Sequence, residues 1–419
     1  MKKYLISLSF VTFLISSVFG QLAGDPMADI IMKNTNGSST FSIEGSLFSS
    51  PAFKANQSGY FIPLQYASDD DFEAVYAKMK EQDLFAQEYQ GSLIYSMPLE
   101  SNRDGESNLT FYLKTVGGQQ AYLNKDLFQL IVKGNKAFAG KEVVLHPFSF
   151  STSLYQELAV NYYSYKTIAS NRKIGLGFGL SLINGVQMTE IQIDQGLFFT
   201  SQLGDSVFAA AKATIIGSDP DAHSLFSNNG LGTALNVQFF YQFENKNKLY
   251  ASIQNLGFIS WNKKSMHYDI DKELSFTGLD VFDPNQLLQN TSLELDSLLL
   301  AETNSETKSF TQYLSPEISF AYQLHEVFNN ASIYTGLVYK IKPYYFPRAF
   351  VNLRYQLSES FYFQSGFNLD HYGNFGLSGE IGISMDEKLD FCLGSNHLEG
   401  LGLYGYNGQG LYTGLQFSF

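Results

Sequence analysis

From about residue 90 onward, hydrophobic and polar positions alternate with a period of two. Ile174, Leu176, Phe178, Leu180 and Leu182 fall on one side of an extended chain, and Gly175, Gly177, Gly179 and Ser181 on the other. Leu231, Thr233, Leu235, Val237, Phe239, Tyr241 and Phe243 stand opposite Gly232, Ala234, Asn236, Gln238 and Gln242, with Phe240 an exception on the polar side. Ala349, Val351, Leu353, Tyr355 and Leu357 stand opposite Arg348, Asn352, Arg354 and Gln356, with Phe350 the exception. Successive side chains of a strand point to opposite faces, so each run predicts a strand with one apolar and one polar face. Runs of this kind fall near 41–48, 91–98, 107–116, 148–154, 157–166, 173–184, 188–200, 205–216, 231–243, 248–261, 314–325, 331–342, 347–357, 360–370, 373–385, 388–395 and 410–419.

A soluble sandwich also alternates, but three features predict a transmembrane barrel. Many runs are near the 9–11 residues a tilted spanning strand needs. Their polar faces carry Gly, Ser, Asn and Gln rather than the Lys and Glu of a solvated surface. Aromatics gather at run ends, as in the girdles of such barrels. Trp261, the only Trp, closes one run before Asn262, Lys263 and Lys264, and Tyr344, Tyr345 and Phe346 lie between Pro343 and Pro347. Hydrocarbon offers no water to backbone N–H and C=O groups, so only a sheet closed on itself satisfies them all. The expected fold is all-β, a transmembrane antiparallel β-barrel of about 14 strands, since single-chain barrels of this type use even numbers.

Four stretches lack the period. Residues 1–20 combine Lys2 and Lys3 with an apolar run and small residues Val18 and Gly20, the pattern of a secretory signal peptide. Residues 21–90 are mixed and polar and are expected to be a plug or rim segment ahead of a barrel at 91–419. Within them Asp69, Asp70 and Asp71 precede Phe72, Val75, Tyr76 and Met79 at helical spacing. This predicts a helix from 69 to about 82, either plugging the lumen, capping it or packed on the rim. Residues 125–140 predict a short helix over 126–133 stopped at Gly134 or Asn135. Residues 283–302, with Pro284 and several Leu, predict a helical insertion.

The composition narrows the function. A formal net charge of -13 argues against nucleic-acid binding, which needs a basic footprint. One Cys excludes an internal disulfide, and the six His show no metal-ligand spacing, so no cofactor is expected. Asp219-Pro220-Asp221 and Asp269-Ile270-Asp271 are acidic pairs read as solvated turns. His371 and Ser378 are the formal pair for a membrane hydrolase, but no motif orients the His, and no enzyme is expected. Parity makes Arg348, Arg354, Glu317 and Glu380 the lumen-facing candidates. They set the charge preference of a wet lumen or pair with one another and serve packing.

Several short motifs carry a resemblance. Gly134-Asn135-Lys136-Ala137-Phe138-Ala139-Gly140, Tyr155-Gln156-Glu157, Leu256-Gly257-Phe258-Ile259-Ser260-Trp261 and Phe276-Thr277-Gly278-Leu279-Asp280 follow in order. This set resembles an uncharacterised family of Bacteroidota outer-membrane proteins, a domain of unknown function, with Gln156 where that family has a basic residue. The resemblance implies a barrel similar to the long-chain fatty-acid transporter group and to barrels accessory to secretion. It implies structural roles for Gly134, Asn135, Phe138, Gly140, Glu157, Gly257, Trp261 and Gly278, with Trp261 anchoring an interface, and no catalytic residue. The last run ends on Phe419 and is similar to the strand by which outer-membrane barrels engage the assembly machinery. The expectation is therefore an outer-membrane barrel in contact with lipid. It either passes small hydrophobic molecules or serves as a non-transporting partner in a surface or secretion complex.

Overall fold

The computed structural model describes residues 38–50, 69–102, 105–169, 171–222, 224–277, 304–385, 388–402 and 408–419. The signal-peptide reading, the helix near 283–302 and Gly278 lie outside them. In chain order the strands are β1 (Thr40–Ser50), β2 (Gln82–Asn102), β3 (Gly105–Asn124), β4 (Glu142–Val144), β5 (Phe148–Ala169), β6 (Arg172–Thr200), β7 (Ser206–Gly217), β8 (Gly230–Gln242), β9 (Lys248–Trp261), β10 (Met266–Thr277), β11 (Asn304–Thr307), β12 (Phe310–Tyr313), β13 (Glu317–Phe328), β14 (Ala331–Lys340), β15 (Arg348–Ser358), β16 (Phe361–Leu369), β17 (Phe375–Met385), β18 (Leu389–His397) and β19 (Gln409–Ser418). Two helices of more than two turns accompany them, α1 (Asp69–Lys78) and α2 (Lys125–Lys133), with a single helical turn at Glu399–Gly402.

Fourteen strands form a closed antiparallel barrel in the order β1, β2, β3, β5, β6, β8, β9, β13, β14, β15, β16, β17, β18, β19. The seam is the pairing of β1 with β19, from Thr40 opposite Ser418 to Ser49 opposite Gln409. The expected number of about fourteen therefore holds, by a route the alternation did not show. Runs 148–154 and 157–166 are one strand, β5, and runs 173–184 and 188–200 are one strand, β6. Run 205–216 is β7, which lies outside the ring against the upper half of β6 and against β10. The barrel also begins earlier than residue 91. β1 is a wall strand, and β2 starts at Gln82.

The two ends of the barrel differ. At one end lie Thr40, Ser418 and the short turns after β2, β5, β8, β13, β15 and β17. At the other lie the long connections, which hold α1, α2, β4, β7, β10, β11 and β12. The wall there continues past the ring as a sheet built on the upper half of β6, with β7 and β10 beside it. α1 does not enter the lumen. Its Val75 and Met79 pack with Leu127 and Phe128 of α2 over Phe85, Ala121 and Leu123. Those three have the parity of outward-facing Leu93, Phe111 and Leu113, so the helix pair rests on the outside of the rim. Asn124 caps α2 by accepting from the Leu127 N–H at 2.7 Å, and Gly134 ends it with φ 74°.

The alternation sorts side chains by face as expected. On β6, Leu176, Phe178, Leu180 and Leu182 are half or more exposed, whereas Gly175, Gly177, Gly179 and Ser181 are buried. The glycines make room for the neighbouring strand. A Cβ at Gly177 would lie 2.5 Å from the Tyr163 ring, so the ring lies flat over the glycine and fills the interior. The two exceptions, Phe240 and Phe350, point inward, each 4% exposed. Phe240 packs with Ile94, Tyr112, Tyr163 and Tyr250 as an apolar plug made of wall side chains. Among the described residues no helix is long and apolar enough to cross a membrane.

An outward leucine in mid-wall marks the apolar belt. Leu180→Arg is expected to destabilise the barrel by about 2–4 kcal/mol in lipid vesicles, the cost of a charge on the lipid face at mid-depth. Leu180→Ile is expected to stay near neutral in the same equilibrium unfolding measurement. Equal stabilities for the two variants would remove the belt from that face.

Candidate functional site

One line of register across five strands builds a buried charge network. Arg354 of β15 sits opposite Gln364 of β16, Gln364 opposite Glu380 of β17, Glu380 opposite Gly394 of β18, and Gly394 opposite Tyr412 of β19. All five have inward parity, so their side chains meet. Arg354 Nε donates to Gln364 Oε1 at 3.0 Å, and its Nη2 reaches Glu380 Oε1 at 3.4 Å. Tyr362 donates to Glu380 Oε1 at 2.6 Å and Tyr412 to Oε2 at 3.0 Å. Gly394 lets the Tyr412 ring cross β18 to reach that carboxylate, because a Cβ there would overlap the ring. The guanidinium lies between aromatic faces, 4.3 Å from the Tyr362 centroid and 4.8 Å from that of Tyr334. Both carboxylate oxygens are engaged, as a fully buried charge requires.

Towards the end with long connections, the interior opens into a chamber of about 570 Å³. Its lining mixes amides such as Gln90 and Gln120, hydroxyls such as Ser151 and Ser153, tyrosines, and charged side chains. Over it, two opposite walls are tied together. Lys340 of β14 donates to both oxygens of Glu88 of β2, at 3.0 and 3.2 Å. These strands are half-way round the ring, with six strands between them on either side. An eight-stranded barrel is just wide enough to be filled by its own side chains. Contact between opposite walls of fourteen strands therefore means that the cross-section is flattened at this level.

The turns at 341–347 and 370–374 fold inward over this contact. Tyr345 donates to Glu88 Oε1 at 2.9 Å, and its hydroxyl lies 3.4 Å from that of Tyr372. Tyr372 stacks on Phe48 of β1 at 5.2 Å, and Tyr344 stacks on Tyr122 of β3 at 3.7 Å. Asp370 shapes its turn by accepting from the N–H groups of Tyr372 and Asn374, both at 2.8 Å. Asn374 donates to Ser50 of β1 at 2.9 Å. Buried His397 stands between Asp370 at 3.2 Å and Glu399 at 2.9 Å and fixes the base of the same turn. His371, half-buried in that turn and beside the Lys340 cation, is held down to about 4 by burial and by that charge.

The residues singled out from sequence fall as follows. Arg354 and Glu380 form the network above, while Arg348 and Glu317 line the chamber. Glu157 is buried and accepts from Ser181 at 2.5 Å. Gly134 and Gly140 take positive φ, 74° and 78°, Asn135 begins a short 3-10 turn, and Phe138 is buried in it. Gly257 lies against the backbone of Thr233 and Ala234 of β8, leaving no room for a side chain.

Trp261 differs from its expected place at a boundary. It is 1% exposed, packed with Ile183, Met188 and Ile259, stacked on Phe310, and donates to Gln312 at 3.1 Å. β12 covers it by pairing Phe310 opposite Trp261, so the ring faces protein. Tyr345 likewise turns into the interior, while Tyr344 and Phe346 stay exposed. Ser378 donates to Asn352, and His371 Nδ1 lies 3.1 Å from the Phe346 carbonyl oxygen, so neither serves the other. Asp219 accepts from the Asp221 N–H at 3.0 Å and lies 3.4 Å from Lys264, a turn role. Asp269 belongs to strand β10 rather than a turn. Sequence reasoning missed Glu88, Lys340, Tyr345 and Tyr372. Only the parity of Glu88, two and four residues before Gln90 and Ser92 on the inward face, could have pointed to it.

A family model described as a family of unknown function, DUF5723, matches residues 34–389. The chain belongs to that family. Comparison with curated proteins gives no match. This DUF5723 barrel is similar to solved structures at low identity. The toluene transporter TbuX of Ralstonia pickettii is 8% identical, with 97% of each chain covered and a TM-score of 0.45. A FadL homologue of Pseudomonas aeruginosa is 10% identical, with 97% of each chain covered and a TM-score of 0.43. The translocator domain of the autotransporter NalP from Neisseria meningitidis is 6% identical, with 100% of this chain and 98% of that chain covered and a TM-score of 0.36.

Removing one partner of a buried ion pair leaves an uncompensated charge. Glu380→Ala is therefore expected to destabilise the DUF5723 barrel by about 3–5 kcal/mol. Adding Arg354→Met to it is expected to recover part of that loss. Denaturant unfolding of the three proteins in detergent checks this, and a double variant no better than the single one would contradict the pairing.

Proposed function

We propose that the protein is an outer-membrane β-barrel whose mouth is latched at rest and which admits a solute to its chamber when the latch opens. The observation that carries this reading is the Glu88 carboxylate, held by Lys340 and Tyr345 from the opposite wall. The apolar outer belt supports a place in lipid, with backbone groups satisfied by closure. The short turns suit the periplasmic side and the long connections the outside, the usual arrangement of such barrels. The chamber's amides, hydroxyls and charges favour a polar solute over a small hydrophobic one. A second observation supports hydrophobic cargo instead. An apolar groove of about 460 Å³ runs along the outer wall between Phe320, Leu337, Val351 and Phe367.

Planar-bilayer recording separates a latched barrel from a sealed structural one. Wild type is expected to be mostly closed. Glu88→Gln, which removes the charge and keeps an acceptor, is expected to raise the open fraction at least about tenfold, the equivalent of about 1.4 kcal/mol. The exchanged pair Glu88→Lys with Lys340→Glu is expected to restore closure. Silence in all three proteins would leave a non-transporting barrel.

The latch also carries a pH dependence. With the turns closed, His371 sits near 4, and with them open it returns toward the ordinary 6.5. The open state then binds more protons between these values, so closure weakens as pH falls from 6.5 to 4. Opening is expected to rise across that window in wild type and to rise less in His371→Asn. An identical pH profile in the two proteins would take His371 out of the latch.

A further inference from the structure

Two acceptors in the chamber wall have no partner among the described residues. Gln120 of β3 is 7% exposed and Asn368 of β16 is 2% exposed, and Oε1 of the first and Oδ1 of the second are buried without a hydrogen bond. Asn368 directs its Nδ2 to the Asn396 carbonyl, which leaves its oxygen unpaired, and both Gln120 and Asn368 line the chamber. A buried acceptor left unmade costs about 1–3 kcal/mol, so two on one cavity are a demand for donors. Arg348 and Lys342, two of the cations that line the chamber, have no ion pair among the described residues. Arg348 of β15 lies over the Phe350 ring at 5.9 Å, and Lys342 lies over the Tyr345 ring at 5.1 Å. Of the neighbouring acids, Glu88 is occupied by Lys340 and Asp370 by its own turn and His397, while Glu317 stands near enough to bear on Arg348 and Glu190 on Lys342. A volume of about 570 Å³ lies within the range of small-molecule sites.

These features select a ligand class. Inorganic phosphate would match the cations but brings few donors for the two oxygens. A neutral sugar would meet the oxygens and leave the cations alone. A fatty acid would bring a carboxylate and no hydroxyls. We propose that the chamber is a binding site for a small polyhydroxylated carboxylate, a sugar acid, whose hydroxyls donate to Gln120 and Asn368 and whose carboxylate meets Arg348 and Lys342. Guanidinium and carboxylate match in a bidentate geometry, which assigns Arg348 the larger share. The proposal rests on the chamber of the latched barrel described above, but it does not require the latch to conduct.

The sole tryptophan, Trp261, also lines the chamber and serves as reporter. Full-length protein in detergent is titrated with galacturonate, with galactose, which lacks only the carboxylate, and with cyclohexanecarboxylate, which lacks only the hydroxyls. The titrations use wild type and Glu88→Gln, so that a closed mouth does not hide the site. Galacturonate is expected to bind at least about tenfold more tightly than either control. Arg348→Met should bring it to the level of galactose, Arg348→Lys should lose less, and Gln120→Leu should bring it toward cyclohexanecarboxylate. Each variant is first checked for heat-modifiable migration, and calorimetry repeats the titration. No saturable binding in either background, equal affinity for the three compounds, or galacturonate affinity unchanged in folded Arg348→Met and Gln120→Leu would overturn the proposal. None of these outcomes depends on conductance, so failure here and failure of the latch are told apart.

Discussion

The seam between β1 and β19 is the constraint on which the rest of this structure depends. Ten residue pairs, Thr40 with Ser418 through Ser49 with Gln409, close the ring. Without that pairing two strands would present unpaired N–H and C=O groups, which water tolerates and hydrocarbon does not. Closure fixes the meaning of every other residue. A side chain points either out or in, and the period of two decides which. The leucines and phenylalanines of β6 then belong outside, and its glycines and serine inside, without any further rule.

Closure at fourteen strands also creates a problem that the interior must solve. A ring this large is wider than its own side chains fill. The protein fills it in two ways. Large residues replace polar ones at chosen inward positions, as Phe240 does among Ile94, Tyr112 and Tyr250. Where charges are used instead, the wall approaches itself, as where Lys340 meets Glu88. The Arg354–Glu380 network belongs to the same economy of space. It lies flat along one register line, because Gly394 gives the Tyr412 ring room to cross.

Alternation made the barrel legible, because lipid outside and packing inside act on every second residue. It failed where the backbone changes step. Val186 is an extra residue in β6, placed where the register with β5 shifts between Leu154 and Tyr155. Before it the outward positions are even, at Leu176 to Leu182. After it they are odd, at Gln187, Ile191 and Ile193. A continuous strand therefore reads as two runs. β5 keeps one parity throughout, with Phe148, Phe150, Leu154, Leu158 and Val160 all on one face, and it is polar Thr152 and Gln156 that interrupt that face. β10 was missed for a chemical reason. Asp269, Asp271 and Glu273 lie on one face of it and look like a solvated turn, although Met266, Tyr268 and Ile270 keep the period on the other. The candidate site was legible only in part. Parity placed Arg354 and Glu380 on one kind of face. No local pattern connects Glu88 with Lys340, which are 252 residues apart and meet only because closure brings opposite walls together.

The contrast between a fully bonded charge network and the chamber above it bears on what the barrel is for. In mid-wall, Glu380 has donors on both oxygens, and Ser378 is bonded to Asn352. Loosening that network would strand a charge. Beneath the inward-folded turns, Gln120 and Asn368 keep unpaired acceptors, and Arg348 and Lys342 lie over aromatic rings with no ion pair among the described residues. A barrel selected only for stability would gain by filling those positions with apolar side chains, since replacing both partners by matched apolar groups is nearly neutral or better. Their presence at one level, under turns that Glu88 ties to the opposite wall, fits the proposed site for a polar guest.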